Sequence, residues 1–529
     1  MEPSTDLPES AAAAKTIAAI DLGATSIRMV IAEVLPDGRL EVLERLQRAV
    51  RLGQDTFRRG RLGGESMRAA LNVLKDYRQL LRLYRVEQAR AVATSAVREA
   101  SNADTFLDRV FLATGLHVEV IDTSEESRLT VSAVRQAWGP QPANDRPADR
   151  AEDQRATLIA NVGGGSTLLT VLQDDEIITS LGLRLGSIRL QEVILSSSDP
   201  PQRSAELLRY HIGNVIASVQ GSLPLGRIGR FVAVGGDAPF VARQIGQPAD
   251  SADLVAVELS AFDNLVDRCQ RHTAEELSRC HGLPFAEAET LTAALLIYQI
   301  LVRHTGADRM IVSHASMCDG LLLELAREVT GQEDEALLAG VIHSATTLAE
   351  KYRADPQHGQ NVAELAVRLF DDLQADHGLG ARHRLLLRVA ALLHEVGGFV
   401  SNRSHHKHSE YLIANSEIFG LKRGEIALVA EIARYHRRSV PRPTHPAYMA
   451  LTREARVVVA KLAALLRVAD ALARGAVPKI RQWRIERQGD DLIVGLPGGA
   501  DLLLKQRALA VKADLFEDIF GMKVRLEEG

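Results

Sequence analysis

Two stretches of the chain share one pattern. In TIAAIDLGATSIRMVIAEV (16–34) and ATLIANVGGGSTLLTVL (156–172), two β-branched apolar runs are joined by a turn of Gly, Ser and Thr. That alternation predicts β-hairpins rather than helices. Two such hairpins about one domain length apart predict a duplicated α/β fold with a cleft between its halves, a first lobe over 16–138 and a second over 156–328. A third glycine turn, FVAVGGDAP (231–239), follows another strand-like run inside the second lobe and is expected to line the same cleft. Between the lobes, GPQPANDRPADRAEDQR (139–155) is rich in Pro and charge and reads as a linker or exposed loop. Residues 1–15 read as a disordered tail.

Beyond residue 328 the period changes. VAELAVRLFDDL (362–373), HRLLLRVAALLHEVG (383–397) and ARVVVAKLAALLRVADALARG (455–475) place apolar residues three and four apart. This predicts an all-helical domain over 329–480. Residues 481–529 return to short strands around a turn, then one helix and a last strand, a small α/β domain.

Composition adds little that is selective. The 529 residues exceed what one core serves. They are 46% hydrophobic and 25% charged with a net charge of -5, so overall charge calls for no polyanion partner. Cys269, Cys280 and Cys318 form no CxxC pair and no metal-ligand spacing, which suits a reducing cytoplasm. No signal-peptide pattern opens the chain, and no uninterrupted apolar run approaches a membrane span, so a cytoplasmic protein is expected.

A strand followed by a Gly, Ser and Thr turn exposes backbone N–H groups in one direction and lets phosphate oxygens approach them. Ser26, Gly163, Gly164, Gly165, Ser166, Thr167, Gly235 and Gly236 fit that role. A tight hairpin also favours glycine for its own geometry. Matching turns at two places, plus VGGD, favour the functional reading.

These segments, with ATSAVREASNADTFL (93–107), VEVIDTSEESRL (118–129), LRLGSIRLQE (183–192), LLHEVGGFVSNRSHHKHSEYLIANSEIFG (392–420) and RYHRR (434–438), run in the order of a known family. The chain resembles the exopolyphosphatase/guanosine pentaphosphate phosphohydrolase family, a branch of the sugar kinase, heat-shock protein 70 and actin superfamily. The resemblance implies an actin-like two-lobed part and a hydrolase that releases terminal phosphate from inorganic polyphosphate or the 5'-phosphate of guanosine pentaphosphate. It implies that Arg98 holds a phosphate oxygen and that Glu125 is the general base which orients or deprotonates water. The plainer reading of Glu125 is a first-turn helix glutamate, with Ser124 as cap. Asp21 is expected to assist Mg2+, which takes a few carboxylates and keeps much of its water. A homodimer is implied by the resemblance alone.

The chain departs from the family pattern at Asn161 and Leu168, where an aspartate and a glutamate are usual. Ala24 and Thr25 replace Ser and Asn, and Cys318 stands where a basic residue is expected. Two readings follow: a hydrolase with reduced or altered activity, or a polyphosphate or nucleotide sensor that binds without efficient hydrolysis.

The helical domain carries a rival site. His358, His394, Glu395, His408, His436 and Asp470 occur in the order of an HD-type phosphohydrolase, whose histidines and aspartates hold divalent metal, with Glu395 in place of the aspartate. The alternative is a set of hydrogen-bonded core histidines. Arg382, Arg384, Arg388, Arg403, Lys407, Lys422, Arg423, Arg434, Arg437 and Arg438 outnumber the nearby acids, so a positive surface for polyphosphate is expected. Nucleic acid fits less well, because only Tyr411, Phe419 and Tyr435 offer stacking.

Overall fold

A computed structural model describes residues 14–139, 156–173, 176–194, 200–221, 223–249, 251, 253–330, 335–437, 439–475, 483–496 and 502–528. The expected linker beyond 139, most of the expected tail and Arg438 lie outside the described residues. The chain forms two compact units, 1–334 and 335–529.

In the first unit, β1 (Lys15–Leu22), β2 (Ser26–Val34), β3 (Leu40–Ala49), β4 (Gln88–Ala93) and β5 (Val118–Val120) form a sheet in the order β3-β2-β1-β4-β5. β1 and β2 are antiparallel and form the predicted hairpin, while β1, β4 and β5 run parallel. β1 is apolar almost throughout because both its faces are covered: Ala18, Ile20 and Leu22 enter one core, Ile17 and Ala19 the other. β3, rich in Glu and Arg, is the exposed edge.

The second sheet contains β6 (Ala156–Val162), β7 (Thr167–Gln173), β8 (Glu176–Leu183), β9 (Ile228–Gly235), β10 (Gln247–Pro248), β11 (Leu254–Glu258) and β12 (Arg309–Ser313), in the order β10-β11-β12-β9-β6-β7-β8. Its segment β8-β7-β6-β9-β12 repeats the first sheet strand for strand and sense for sense. The paired hairpins therefore mark a duplicated α/β fold.

Helix Met317–Thr330 ends the second half in sequence but packs on the first sheet, where Cys318, Leu321 and Leu325 join Ile17 and Ala19 in one core. It meets helix Thr123–Trp138 so closely that a Cβ on Gly320 would lie 2.1 Å from the carbonyl oxygen of Leu129.

One expectation is corrected here. Helix Phe285–Arg303 is long and apolar enough to cross a membrane, but 67% of its apolar window is buried. Leu291, Leu295, Ile297 and Leu301 pack in the core of the second sheet, which accounts for the apolar run.

In the second unit, helices Pro356–Asp372, Ala381–Leu393, Arg423–Arg434 and Arg453–Leu472 surround one core. β13 (Arg484–Gln488), β14 (Asp491–Leu496) and β15 (Lys523–Glu528) form a small sheet, and Trp483, Leu492, Val494 and Phe516 enter the same core as the helices. The expected single helix of this segment is two, Leu502–Lys512 and Asp514–Phe520.

Candidate active site

The turns after β1 and β6 abut. A Cβ on Gly164 would lie 3.0 Å from that of Ala24, so the two halves meet at their equivalent hairpin turns. Gly163 N–H donates to the Ser166 carbonyl at 2.9 Å, as Gly23 N–H does to that of Ser26 at 3.0 Å. Among the described residues, the amides of Ala24, Thr25, Gly164 and Gly165 enter no turn or loop hydrogen bond. Two of the glycines leave little or no room for a side chain. Gly235 has φ +128° and an added Cβ would lie 2.2 Å from the Val162 carbonyl oxygen. At Gly165 the Cβ would meet Ser95 Oγ at 2.3 Å. Thr167 donates from its hydroxyl to the Leu185 carbonyl at 2.6 Å, and Ser26 is buried at the start of β2.

On helix Thr123–Trp138, Glu126 lies beside Arg98 and near Asp21, whereas the expected Glu125 is bonded to other arginines. Asp122 caps that helix by accepting from Glu125 N–H at 2.9 Å, the role expected of Ser124. Successive helical residues point about 100° apart, so the two glutamates part company. Glu125 is held by Arg128, with bonds of 2.7 and 2.8 Å, and by Arg90 at 3.2 Å. Arg128 also donates to Glu324 of helix Met317–Thr330 at 2.8 Å, and Arg90 bonds the same carboxylate. This is a buried ion network joining two helices to the first sheet. A carboxylate so engaged is poorly placed to take a proton from water.

Glu126 lies 3.6 Å from Arg98 Nη1, and its buried Oε2 has no hydrogen-bond partner. Burial pushes its pKa up to about 7; Arg98 opposes this, and Asp21 and Asp122 add to it. Asp21, 8% exposed, stands opposite Arg28 in the hairpin register and also has a buried oxygen without a partner. Its pKa rises to about 6, again through burial, with Arg28 pulling it down. Asp237, just after the Gly235–Gly236 turn, is raised to about 7 by burial and then by Glu287, against Arg28. Arg28 reaches that turn: its Nη2 would lie 3.0 Å from a Cβ on Gly236. Arg98 donates to the Ile121 carbonyl at 2.6 Å, which fixes one end of its guanidinium.

Glu126, Arg28 and Asp237 thus join the predicted Asp21 and Arg98. Arg28 was legible as the cross-strand partner of Asp21, and Asp237 as the acid ending VGGD. The family-type neighbours are neutral here. Asn161 donates to Thr130 Oγ1 at 3.2 Å, Leu168 is buried directly opposite it on β7, and Cys318 is buried with its thiol held well above the usual range by burial and by Asp21.

These raised values set a pH dependence. Unfolded carboxyls release protons near pH 4, whereas folded Asp21, Glu126 and Asp237 keep theirs to about 6, 7 and 7. The folded state therefore binds more protons in that window, and the stability these groups contribute is full below about pH 4 and lost as pH rises through their folded values. In chelator, Asp237→Asn should become less destabilising relative to wild type between pH 5 and pH 8. A flat difference in melting midpoint would refute the shift.

In the second unit, His358, His394 and Asp470 converge, with ligand atoms within 4.8 Å of one another. Glu395 lies 3.9 Å from His358. His436 meets His394 edge-on, with ring centroids 4.9 Å apart, and contacts His405 at 3.1 Å between Nε2 atoms; the expected ligand His408 is not in the converging group. The expected positive surface is partly neutralised: Arg382 pairs with Glu425, Arg384 with Asp371 and Arg434 with Glu410.

Fold and site together define a two-lobed α/β protein with buried carboxylates and arginines gathered at paired glycine turns. Residues 30–329 match the model of the Ppx/GppA phosphatase family, and residues 342–515 match Ppx/GppA phosphatase, domain III. The guanosine-5'-triphosphate,3'-diphosphate pyrophosphatase of Vibrio vulnificus is 26% identical over 497 residues, 90% of this chain and 91% of that protein. Its Vibrio parahaemolyticus namesake is 24% identical over 486 residues, again covering 90% and 91%. Among solved structures, an exopolyphosphatase from Cytophaga hutchinsonii matches with TM-score 0.52 and 22% identity, covering 60% of this chain and all of that one. The chain belongs to the Ppx/GppA phosphatase family.

Proposed function

We propose that this protein is a Mg2+-dependent phosphoanhydride hydrolase that releases terminal phosphate from inorganic polyphosphate or the 5'-phosphate of guanosine pentaphosphate. The observation that carries this reading is Glu126, a largely buried acid whose Oε2 lies 3.6 Å from Arg98 without a hydrogen bond, near Asp21. A base with a pKa raised to about 7 is matched to proton transfer near neutral pH. The substrates are those named for the similar proteins.

Arg28, Arg98 and the amides of the 23–26 and 163–167 turns would hold phosphate oxygens. Glu126 accepts a proton as the water oxygen bonds to the terminal phosphorus, and the bond from phosphorus to the bridging oxygen breaks, leaving the shortened chain with that oxygen. The orphaned oxygen of Asp21 would fit a hydrated Mg2+, which would supply charge neutralisation when bound and leave Glu126 free to take the proton.

A second reading, a sensor that holds phosphate chains without turnover, is favoured by Asn161 and Leu168. Phosphate release from long-chain polyphosphate and from guanosine pentaphosphate, with Mg2+ and with chelator, separates the two. The hydrolase reading expects Mg2+-dependent release from at least one substrate. Tight binding with no release from either would reject it in favour of the sensor.

A further inference from the structure

We propose that His358, His394 and Asp470 form a binding site for a first-row divalent transition-metal ion, separate from the carboxylate cluster of the first unit. The three residues come from separate elements of the second unit. His358 is in the first turn of helix Pro356–Asp372, where Asp355 accepts from its N–H at 3.2 Å. His394 follows helix Ala381–Leu393, and Asp470 is in helix Arg453–Leu472.

Hydrogen bonding fixes what these groups present to one another. His394 Nδ1 lies 2.7 Å from the Ala391 carbonyl oxygen, which can only accept. Nδ1 therefore carries the proton and donates, and in the neutral ring Nε2 is left with a bare lone pair. This buried Nε2 has no hydrogen-bond partner, and the same holds for His358 Nε2 and Asp470 Oδ1. Unsatisfied buried acceptors are costly. Here the three residues bring their ligand atoms within 4.8 Å of one another. A proton on His358 would serve Asp470 Oδ1, 3.6 Å away, but would leave His394 Nε2 bare. One cation satisfies all three. Anchoring a ligand histidine through its other nitrogen to a backbone carbonyl is also how metal sites orient the ring.

Two imidazoles and a carboxylate suit Zn2+, Mn2+, Fe2+ or Co2+ better than Mg2+ or Ca2+. Three protein ligands leave a coordination position open to water or a phosphate oxygen. Glu395 flanks the site, while His436 is oriented in the same way, through Nδ1 to the Ala433 carbonyl at 2.6 Å. Two cations oppose a further positive charge: Lys512 bonds Asp470 Oδ2, and Arg474 lies 3.6 Å from Oδ1. Lys512 thus neutralises Oδ2 of Asp470, while Oδ1 is the oxygen nearest His358.

The test is titration of the chelator-treated full chain with Co2+ and Zn2+ in excess Mg2+, read by Co2+ visible absorption and by calorimetry. Expected is one Co2+ per chain with the absorption of an imidazole-containing site. His358→Gln and Asp470→Asn should each weaken binding by at least about tenfold, the scale on which even outer-shell changes act. His358 is partly exposed, so His358→Gln should fold, as circular dichroism can verify. The proposal is overturned if wild type binds neither ion, or if folded His358→Gln binds as wild type does. Binding only in Lys512→Gln would equally overturn it for the native chain, because Lys512 would then be the permanent counterion of Asp470.

Discussion

Glu126→Gln lowers kcat for phosphate release by about 100- to 10,000-fold, the usual cost of losing a positioned base, while its melting midpoint stays at or above that of wild type. The amide keeps the shape of the side chain but cannot take the proton, and it removes a carboxylate that burial disfavours when charged. Glu125→Gln gives the converse result. It strips the charge from a group held by Arg128 and Arg90 and leaves both guanidiniums under-compensated. Breaking a buried pair on one side costs about 3–5 kcal/mol, lessened here because Glu324 still serves both arginines. Kinetics and thermal unfolding measured on the two variants settle the roles. A Glu125 variant that folds as wild type yet loses all turnover, beside an active Glu126→Gln, would return the base to Glu125.

The frame of the molecule was legible because it rests on periodicity. Two hairpin patterns gave two sheets that share a five-strand topology, and the helical spacing beyond 328 gave the second unit. What the sequence could not give was direction. Glu125 and Glu126 are neighbours in sequence and differ only in helical azimuth, which becomes readable once Asp122 is known to start the helix. Packing across long separations was equally hidden: nothing local says that the helix bearing Cys318 and Glu324 returns to the first sheet. The ten basic residues of 382–438 read as a positive surface because a sequence shows charges but not their partners, and Glu425, Asp371 and Glu410 take up three of them.

Restoring the two acids, Asn161→Asp with Leu168→Glu, should make the first unit less stable without metal and regain stability with Mg2+, and should raise turnover. Asn161 and Leu168 are directly opposed in the β6–β7 ladder and so share one face. That face looks toward the helix of Glu126: Asn161 donates to Thr130 Oγ1 at 3.2 Å, and Thr130 donates its only proton to the Glu126 carbonyl at 2.9 Å. An aspartate would set an acceptor against that hydroxyl oxygen, which has no proton left to give. The amide therefore does by hydrogen bonding what a carboxylate could do only with a cation beside it. A Cβ on Gly182 would meet both Thr123, in the first turn of the same helix, and Leu168, so a glutamate at 168 would be a buried charge beside the start of that helix. Uncompensated, such charge costs several kcal/mol; with Mg2+ it becomes ligation, and the acid count of the cluster rises from the present Asp21, Glu126 and Asp237. Calorimetric melting with chelator and with Mg2+, beside phosphate release, tests this. If Mg2+ restores no stability to the double variant, residues 161 and 168 do not border the metal, and their neutral character has no bearing on catalysis.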